Sequence, residues 1–176
     1  MNYHNITHDD MLNGSGLRVV LWCSGCEHHC RNCQNPQTWD FNSGIPFDKN
    51  AKKEIFNELK KDYISGITLS GGDPLACNNL NCILDLVNEI RLLFPDKTIW
   101  IYSGYTIEEA IKKTGLMYSD EKLKRLHILK QCDVLVDGRY IDSERDITLK
   151  WRGSKNQRVI DLKETFKQKR IVLYCD

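Results

Sequence analysis

Four thiols lie within eleven residues: Cys23-Ser-Gly-Cys26-Glu-His-His-Cys30-Arg-Asn-Cys33. In a reducing compartment, clustered cysteines bind metal or do redox chemistry more often than they form disulfides. A structural zinc site normally draws two cysteine pairs from separate turns, about 12–20 residues apart. Only three residues separate the pairs here, which makes one tetrahedron awkward to close. Cys23-x-x-Cys26 and Cys30-x-x-Cys33 both meet the letter of a thioredoxin-like motif, but a second pair so close has no role in that chemistry. Loop cysteines two and three residues apart can also wrap a cuboidal iron–sulfur cluster. Cys26-x3-Cys30-x2-Cys33 stands out for this: three thiolates on four irons leave one iron open, the mark of a catalytic metal site. Spacing alone leaves these readings in competition.

The elements around the run decide what else can reach it. Leu17–Trp22 is a short apolar run that reads as a buried strand ending in the cysteines. Residues 23–46 are rich in turn formers and read as a long loop, and such loops inside compact domains are usually functional. Asp48–Lys61 reads as an amphipathic helix, Gly66–Ser70 as a strand, and Asn79–Phe94 as a second helix closed by Pro95. Thr98–Tyr102 is a strand. Thr106 and Glu109 have capping-box spacing for a helix through Lys113. A helix over Ser119–Leu129 and a strand over Val134–Val136 follow. The last 30 residues suggest short strands near Ile147–Leu149 and Arg158–Ile160, a helix from Asp161 and a final strand over Arg170–Tyr174.

Alternating strands and helices predict an α/β fold with a mostly parallel sheet. Each candidate strand ends in glycine or polar residues: the cysteines, Gly71-Gly72-Asp73-Pro74, Ser103-Gly104 and Asp137-Gly138-Arg139. Ligands of such folds bind at the carboxyl ends of parallel strands. Four strand ends therefore point to one site, a stronger signal than any single motif.

The chain has 176 residues, which implies one domain over 1–176 and is too short for a full barrel of about 250 residues. Lys+Arg 25 against Asp+Glu 24 gives a net charge of +1, so the totals carry no nucleic-acid footprint. No apolar run suggests a membrane span. Residues 1–10 are polar and acidic, unlike a secretory signal, so the expected location is the cytoplasm.

The motifs together carry a resemblance. Cys26-x3-Cys30-x2-Cys33 after a first strand resembles the signature of the radical S-adenosylmethionine (SAM) superfamily. Gly14-Ser-Gly-Leu-Arg18 precedes it, and Asn35-Pro36-Gln-Thr-Trp39 and Ser70-Gly-Gly-Asp-Pro-Leu75 follow. Asp133-Val-Leu-Val-Asp-Gly-Arg-Tyr140 and the segment from Trp151 to Asp161 come later. In this order they resemble the family that activates anaerobic (class III) ribonucleoside-triphosphate reductases, over most of the chain.

The resemblance implies a partial, laterally open (β/α) barrel. It implies that Cys26, Cys30 and Cys33 ligate one 4Fe-4S cluster whose open iron takes SAM, yielding a 5′-deoxyadenosyl radical. That radical would abstract hydrogen from a glycine of the large reductase subunit, with reduced flavodoxin or ferredoxin as electron donor. Gly71, Gly72 and Asp73 match the motif that binds the SAM amino group, although Asp73 stands where Glu is commoner. Ser103, with Gly104, and Asp137 with Arg139 match later SAM-contacting positions, Arg139 being suited to a carboxylate. Asn32 stands where an aromatic residue often stacks on adenine, so adenine must be held elsewhere. Trp151–Arg158 lines the SAM site or meets the partner. Cys23, Cys77, Cys82, Cys132 and Cys175 read as small buried hydrophobes, and His28 and His29 as solvent-facing. The alternatives are an activase of another glycyl radical enzyme, a small-molecule radical SAM enzyme, or a zinc-binding module without catalysis. Several other activases carry a second cysteine cluster, which this sequence lacks.

Overall fold

In the computed structural model, which describes residues 1–112 and 119–174, one seven-stranded sheet carries five helices. The strands are β1 (Asn2–Asp10), β2 (Arg18–Cys23), β3 (Ile45–Pro46), β4 (Gly66–Gly71), β5 (Thr98–Ser103), β6 (Val134–Asp137) and β7 (Arg158–Asp161). The helices are α1 (Lys49–Leu59), α2 (Leu80–Leu93), α3 (Ile107–Ile111), α4 (Asp120–Gln131) and α5 (Leu162–Gln168). Strand order is β3-β1-β2-β4-β5-β6-β7, and the sheet does not close.

Parallel pairing is confined to β2, β4, β5 and β6. β1 and β3 on one flank and β7 on the other run antiparallel, so the expected α/β fold has its parallel strands at the centre of a mixed sheet. The central four are the strands joined through helices, and only a crossover connection can make neighbours parallel.

Side chains alternate across each strand. Val19, Leu21, Ile67, Leu69, Ile99, Ile101, Leu135 and Ile160 face one core shared with all five helices. Ala51, Ile55 and Leu59 of α1 and Ile83, Leu86, Val87 and Ile90 of α2 supply helical stripes to it. Among the described residues, no helix packs on the other sheet face. A smaller cluster of Trp100, Val134, Val136 and Val159 fills it, with Trp151 and Tyr174 edge-on to Trp100 at 4.9 and 5.1 Å. Towards the amino ends of these strands the buried Arg18 guanidinium donates to Thr68 Oγ1 (2.8 Å), Ile67 O (2.6 Å), Thr98 O (3.0 Å) and Ser15 O (2.9 Å). Burial pushes its pKa down to about 10.

Helix starts follow the caps. Asp48 accepts from the backbone of Asn50 and Ala51, Ser119 from Lys122 and Asp161 from Glu164. The Thr106–Glu109 capping box is present in both directions; the expected helical residue Lys113 lies outside the described residues. Several expectations need correction. β1 was not foreseen, and β3 lies within the expected loop. Ile147–Leu149 is not a strand: Asp146 turns back to accept from the Thr148 amide and hydroxyl. The final strand reduces to one bridge, Ile160 to Leu173.

Candidate metal centre

The chain leaves β2 at Cys23 and enters the cysteine loop over the carboxyl ends of β4 and β5. Backbone bonds pin its base: Gly72 N to Cys23 O (2.7 Å), Asp73 N to Gly25 O (2.7 Å), Gly25 N to Thr38 O (2.7 Å) and Cys26 N to Trp39 O (3.0 Å). Asn79 Nδ2 donates to Ser24 O (2.9 Å) and Asp73 O (3.0 Å), tying the loop to the turn after β4. Gly71 has φ +99°, and a Cβ there would fall 2.7 Å from the Cys23 backbone. Only glycine takes that conformation and that approach without strain. Beyond Cys26 the loop uses left-handed backbone at His29 (φ +47°) and Asn32 (φ +56°). Asn tolerates that region. Asn32 Nδ2 also donates to Asp142 (2.8 Å), securing the loop to the segment after β6. This accounts for Asn at a position where an aromatic residue is common.

Cys26, Cys30 and Cys33 line one cavity of about 140 Å³ with Gly71, Gly72, Ser103 and Gly104. It shares Cys33, Ser70, Tyr102, Tyr140 and Gln157 with a neighbouring cavity of about 450 Å³, whose wall includes Trp151, Arg152 and Gly153. Of the expected SAM-contacting residues, the cavity thus gathers Gly71, Gly72 and Ser103. Asp73, Asp137 and Arg139 are not on its wall.

Each of those three is engaged elsewhere. The buried Asp73 carboxylate accepts from Ser103 Oγ (3.0 Å), Gly104 N (3.0 Å) and Leu75 N (2.8 Å), and pairs with His28 Nε2 (2.7 Å). Asp137, fully buried, accepts from Ile107 N (2.8 Å) and from the Arg158 guanidinium (2.9 and 2.5 Å). Arg158 also reaches Glu108 (2.7 Å) and holds that carboxyl below its usual range, while the two carboxylates push the guanidinium pKa up. Arg139 makes a surface ion pair with Glu109 at 3.0 Å.

His28 corrects the expectation of a solvent-facing residue. Its side chain is 5% exposed, bonded to Asp73 and edge-on to Tyr105 at 4.5 Å. Gly104 makes room for it: a Cβ there would stand 2.2 Å from the imidazole. His29 is exposed and packs edge-on against Trp39. The sequence signal for His28 was its place between Cys26 and Cys30, but neither periodicity nor a motif marks a partner 45 residues away.

No described cysteine is in a disulfide. Burial pushes the Cys26 thiol up to about 11 and raises the Cys30 thiol, against which the Tyr140 backbone and the Arg139 charge act. Buried Cys23 and Cys132 are raised further by desolvation. Cys77 and Cys82 are half-buried rather than buried, and Cys175 lies outside the described residues. Among the described residues, no group of three or more His, Cys, Asp or Glu side chains could hold a metal ion. The three loop thiols instead stand around a shared cavity, an arrangement suited to a cluster in which each thiolate takes a different iron. Metal binding would deprotonate all three, overcoming the upward shifts of Cys26 and Cys30. Trp39 adds a second sign of fit: it lines this cavity, and its buried indole N–H has no partner.

The fold and the cysteine loop define a single-cluster iron–sulfur protein, and a family model described as a 4Fe-4S single cluster domain matches residues 12–160. The chain is 42% identical to the anaerobic ribonucleoside-triphosphate reductase-activating protein of Enterobacteria phage T4, over 90% of this chain and 93% of that protein. It is 41% identical to the protein of that name from Escherichia coli K12, over 93% of this chain and all of the relative, and 40% identical to that of Haemophilus influenzae, over 89% and 96%. This chain belongs to the family of anaerobic ribonucleoside-triphosphate reductase-activating proteins. None of its described helices is long and apolar enough to cross a membrane.

Proposed function

We propose that this chain activates an anaerobic ribonucleoside-triphosphate reductase as a radical SAM enzyme, through one 4Fe-4S cluster held by Cys26, Cys30 and Cys33. The bound cluster and SAM supply a 5′-deoxyadenosyl radical that takes hydrogen from a glycine Cα of the large reductase subunit. One observation carries this reading: the three cysteines share a cavity with the carboxyl ends of β4 and β5, beside a second, larger cavity with which it shares five lining residues.

The chain's own residues bind, orient and exclude water. Gly71 and Gly72 offer bare backbone to the SAM amino group, and Ser103 offers a hydroxyl. Asp73 acts through its neighbours: it fixes Ser103, Gly104 and His28, and its carboxylate is already saturated. Asp137 sets the end of β6 through Arg158. Arg139 exchanges Glu109 for the SAM carboxylate, a bidentate match for a guanidinium. Tyr102, Tyr140 and Trp151 give aromatic walls for adenine in place of Asn32. Of the segment Trp151–Arg158, the residues Trp151, Arg152, Gly153 and Gln157 line the larger cavity, which supports a place for it at the SAM site.

The helix-free face belongs to a partial, laterally open barrel formed by a single radical SAM domain over 1–176, open to a glycine-bearing loop. Reduced flavodoxin or ferredoxin supplies the electron, in the cytoplasm and without nucleic acid or membrane. The test is anaerobic cluster reconstitution, then reduction with SAM and the candidate reductase. Both 5′-deoxyadenosine and a glycyl radical signal are expected. A protein holding one zinc and no sulfide would overturn the reading in favour of a non-catalytic module. Nucleoside formation without a glycyl radical on the reductase would point to another substrate.

A further inference from the structure

Trp39 poses a problem that the proposed reading does not answer. Its indole Nε1 is the one buried side-chain polar atom without a hydrogen-bond partner among the described residues. A buried, unsatisfied donor is costly, and native proteins rarely leave one without a reason such as an absent ion or ligand. The residue is held against the cysteine loop. The Trp39 carbonyl accepts from Cys26 N (3.0 Å), its amide donates to Pro36 O (3.2 Å), and His29 packs edge-on to its ring at 4.9 Å. The Trp39 backbone is thus tied to the cysteine loop at Cys26, and its ring packs against His29 of the same loop. It lines the same cavity as Cys26, Cys30 and Cys33.

We propose that the Trp39 indole N–H donates a hydrogen bond to a sulfur of the bound cluster, a bridging sulfide or a cysteine Sγ, and so helps to set the cluster's reduction potential. This rests on the assignment of the 4Fe-4S cluster to the loop cysteines. Sulfur on a cluster is the acceptor this cavity would gain on loading. Hydrogen bonds to cluster sulfurs are one of the levers that set potential, together with charge and solvent exposure. The sign follows from charge. Reduction adds negative charge to the sulfurs, so a donated N–H favours the reduced form and raises the potential. Trp39 is thus a positioning and tuning residue of the cluster, touching it without ligating it.

The test uses the reconstituted full chain. Trp39→Phe keeps an aromatic ring but removes the donor. A second variant carries 3-benzothienylalanine at position 39, which keeps the bicyclic shape and replaces N–H by sulfur. Both are loaded anaerobically, checked for iron and sulfide, and titrated by the electron paramagnetic resonance signal of the reduced cluster. The expected result is a more negative midpoint potential in both variants. In wild-type protein labelled with ¹⁵N at the indole, a hyperfine coupling to the reduced cluster is expected as well. Equal potentials in wild type and the benzothienyl variant, at equal cluster content, would overturn the proposal and leave the cluster assignment standing. A wild-type chain that takes up no iron and sulfide would overturn the cluster assignment itself. If Trp39→Phe fails to fold, the isosteric variant alone decides.

Discussion

Cys26, Cys30 and Cys33 differ from Cys23 in what surrounds them. The three line an accessible cavity, whereas Cys23 is 0% exposed inside the helix-side core. Replacing any of the three by alanine is expected to abolish stable cluster loading and SAM cleavage, measured as iron, sulfide and 5′-deoxyadenosine. Cys23→Ala is expected to retain the cluster and lose only packing, about 1 kcal/mol. Loss of the cluster in Cys23→Ala would show the ligand assignment to be wrong. Asp73 presents a different case. Its removal strands Ser103 Oγ, Gly104 N and Leu75 N in a buried place. Asp73→Ala should cost about 3 kcal/mol by urea unfolding, since each stranded buried donor costs about 1–3 kcal/mol before relaxation. Asp73→Glu restores the commoner superfamily residue but adds a methylene to a filled site, so it is expected to destabilise by about 1–3 kcal/mol. A neutral or stabilising Asp73→Glu would contradict a filled site around Asp73. The cysteine spacing was legible in the sequence because it is local. The His28–Asp73 pair and the orphan Trp39 N–H were not, because they exist only once strand ends meet.

Elements were legible where their signals are local, and illegible where the sheet imposes them. The Thr106–Glu109 box and the stripe of α2 could be read directly. β1 could not: its buried residues, Tyr3 and Ile6, are three apart and break strand alternation. The register shift between Tyr3 and Asn5 explains the spacing, since a bulge moves every later side chain by one. Between elements, Asp133 is the main electrostatic joint. It accepts from Ile99 N on β5 (2.7 Å), from Lys163 on α5 (2.5 Å) and from Arg91 on α2. Burial raises its pKa, but these three donors together hold it below the usual carboxylate range. A carboxyl whose folded pKa is depressed contributes stability above its unfolded pKa of about 4, and that stability fades as pH falls through the lower folded pKa. The urea midpoint should therefore drop from pH 5 towards pH 3. Asp133→Asn should be less stable at pH 7 and show a shallower acid limb; an unchanged limb would assign acid lability to other groups. At the other end of β6, Arg158→Ala leaves Asp137 buried and unpaired. About 3–5 kcal/mol of destabilisation is expected by thermal or urea unfolding.

Across the whole molecule, a buried guanidinium ties the amino ends of the parallel strands, and the cysteine cavity lies at their carboxyl ends. Arg18 closes the amino end by bonding to β4, β5 and the loop before β2. The cysteines and Gly71-Gly72 stand at the carboxyl end. Arg18→Met removes the bonds but keeps much of the volume. It is expected to shift the unfolding midpoint while leaving the absorption and paramagnetic spectra of the loaded cluster unchanged. Altered spectra at equal cluster content would mean that the two ends are coupled. The open sheet has a further consequence at its margins. An unclosed sheet leaves two rows of backbone donors and acceptors, and long flat ones invite strand-to-strand aggregation. At one margin β3 covers only Asn2 and Tyr3 of β1, and the rest of β1 is an edge broken by register shifts between Tyr3 and Asn5 and between Thr7 and Asp10. At the other, residues 172–174 cover the outer side of β7 through Asp161 N to Val172 O (2.9 Å) and Tyr174 N to Val159 O (2.8 Å). Bulges along one margin and a covering segment along the other thus leave little flat template for polymerisation.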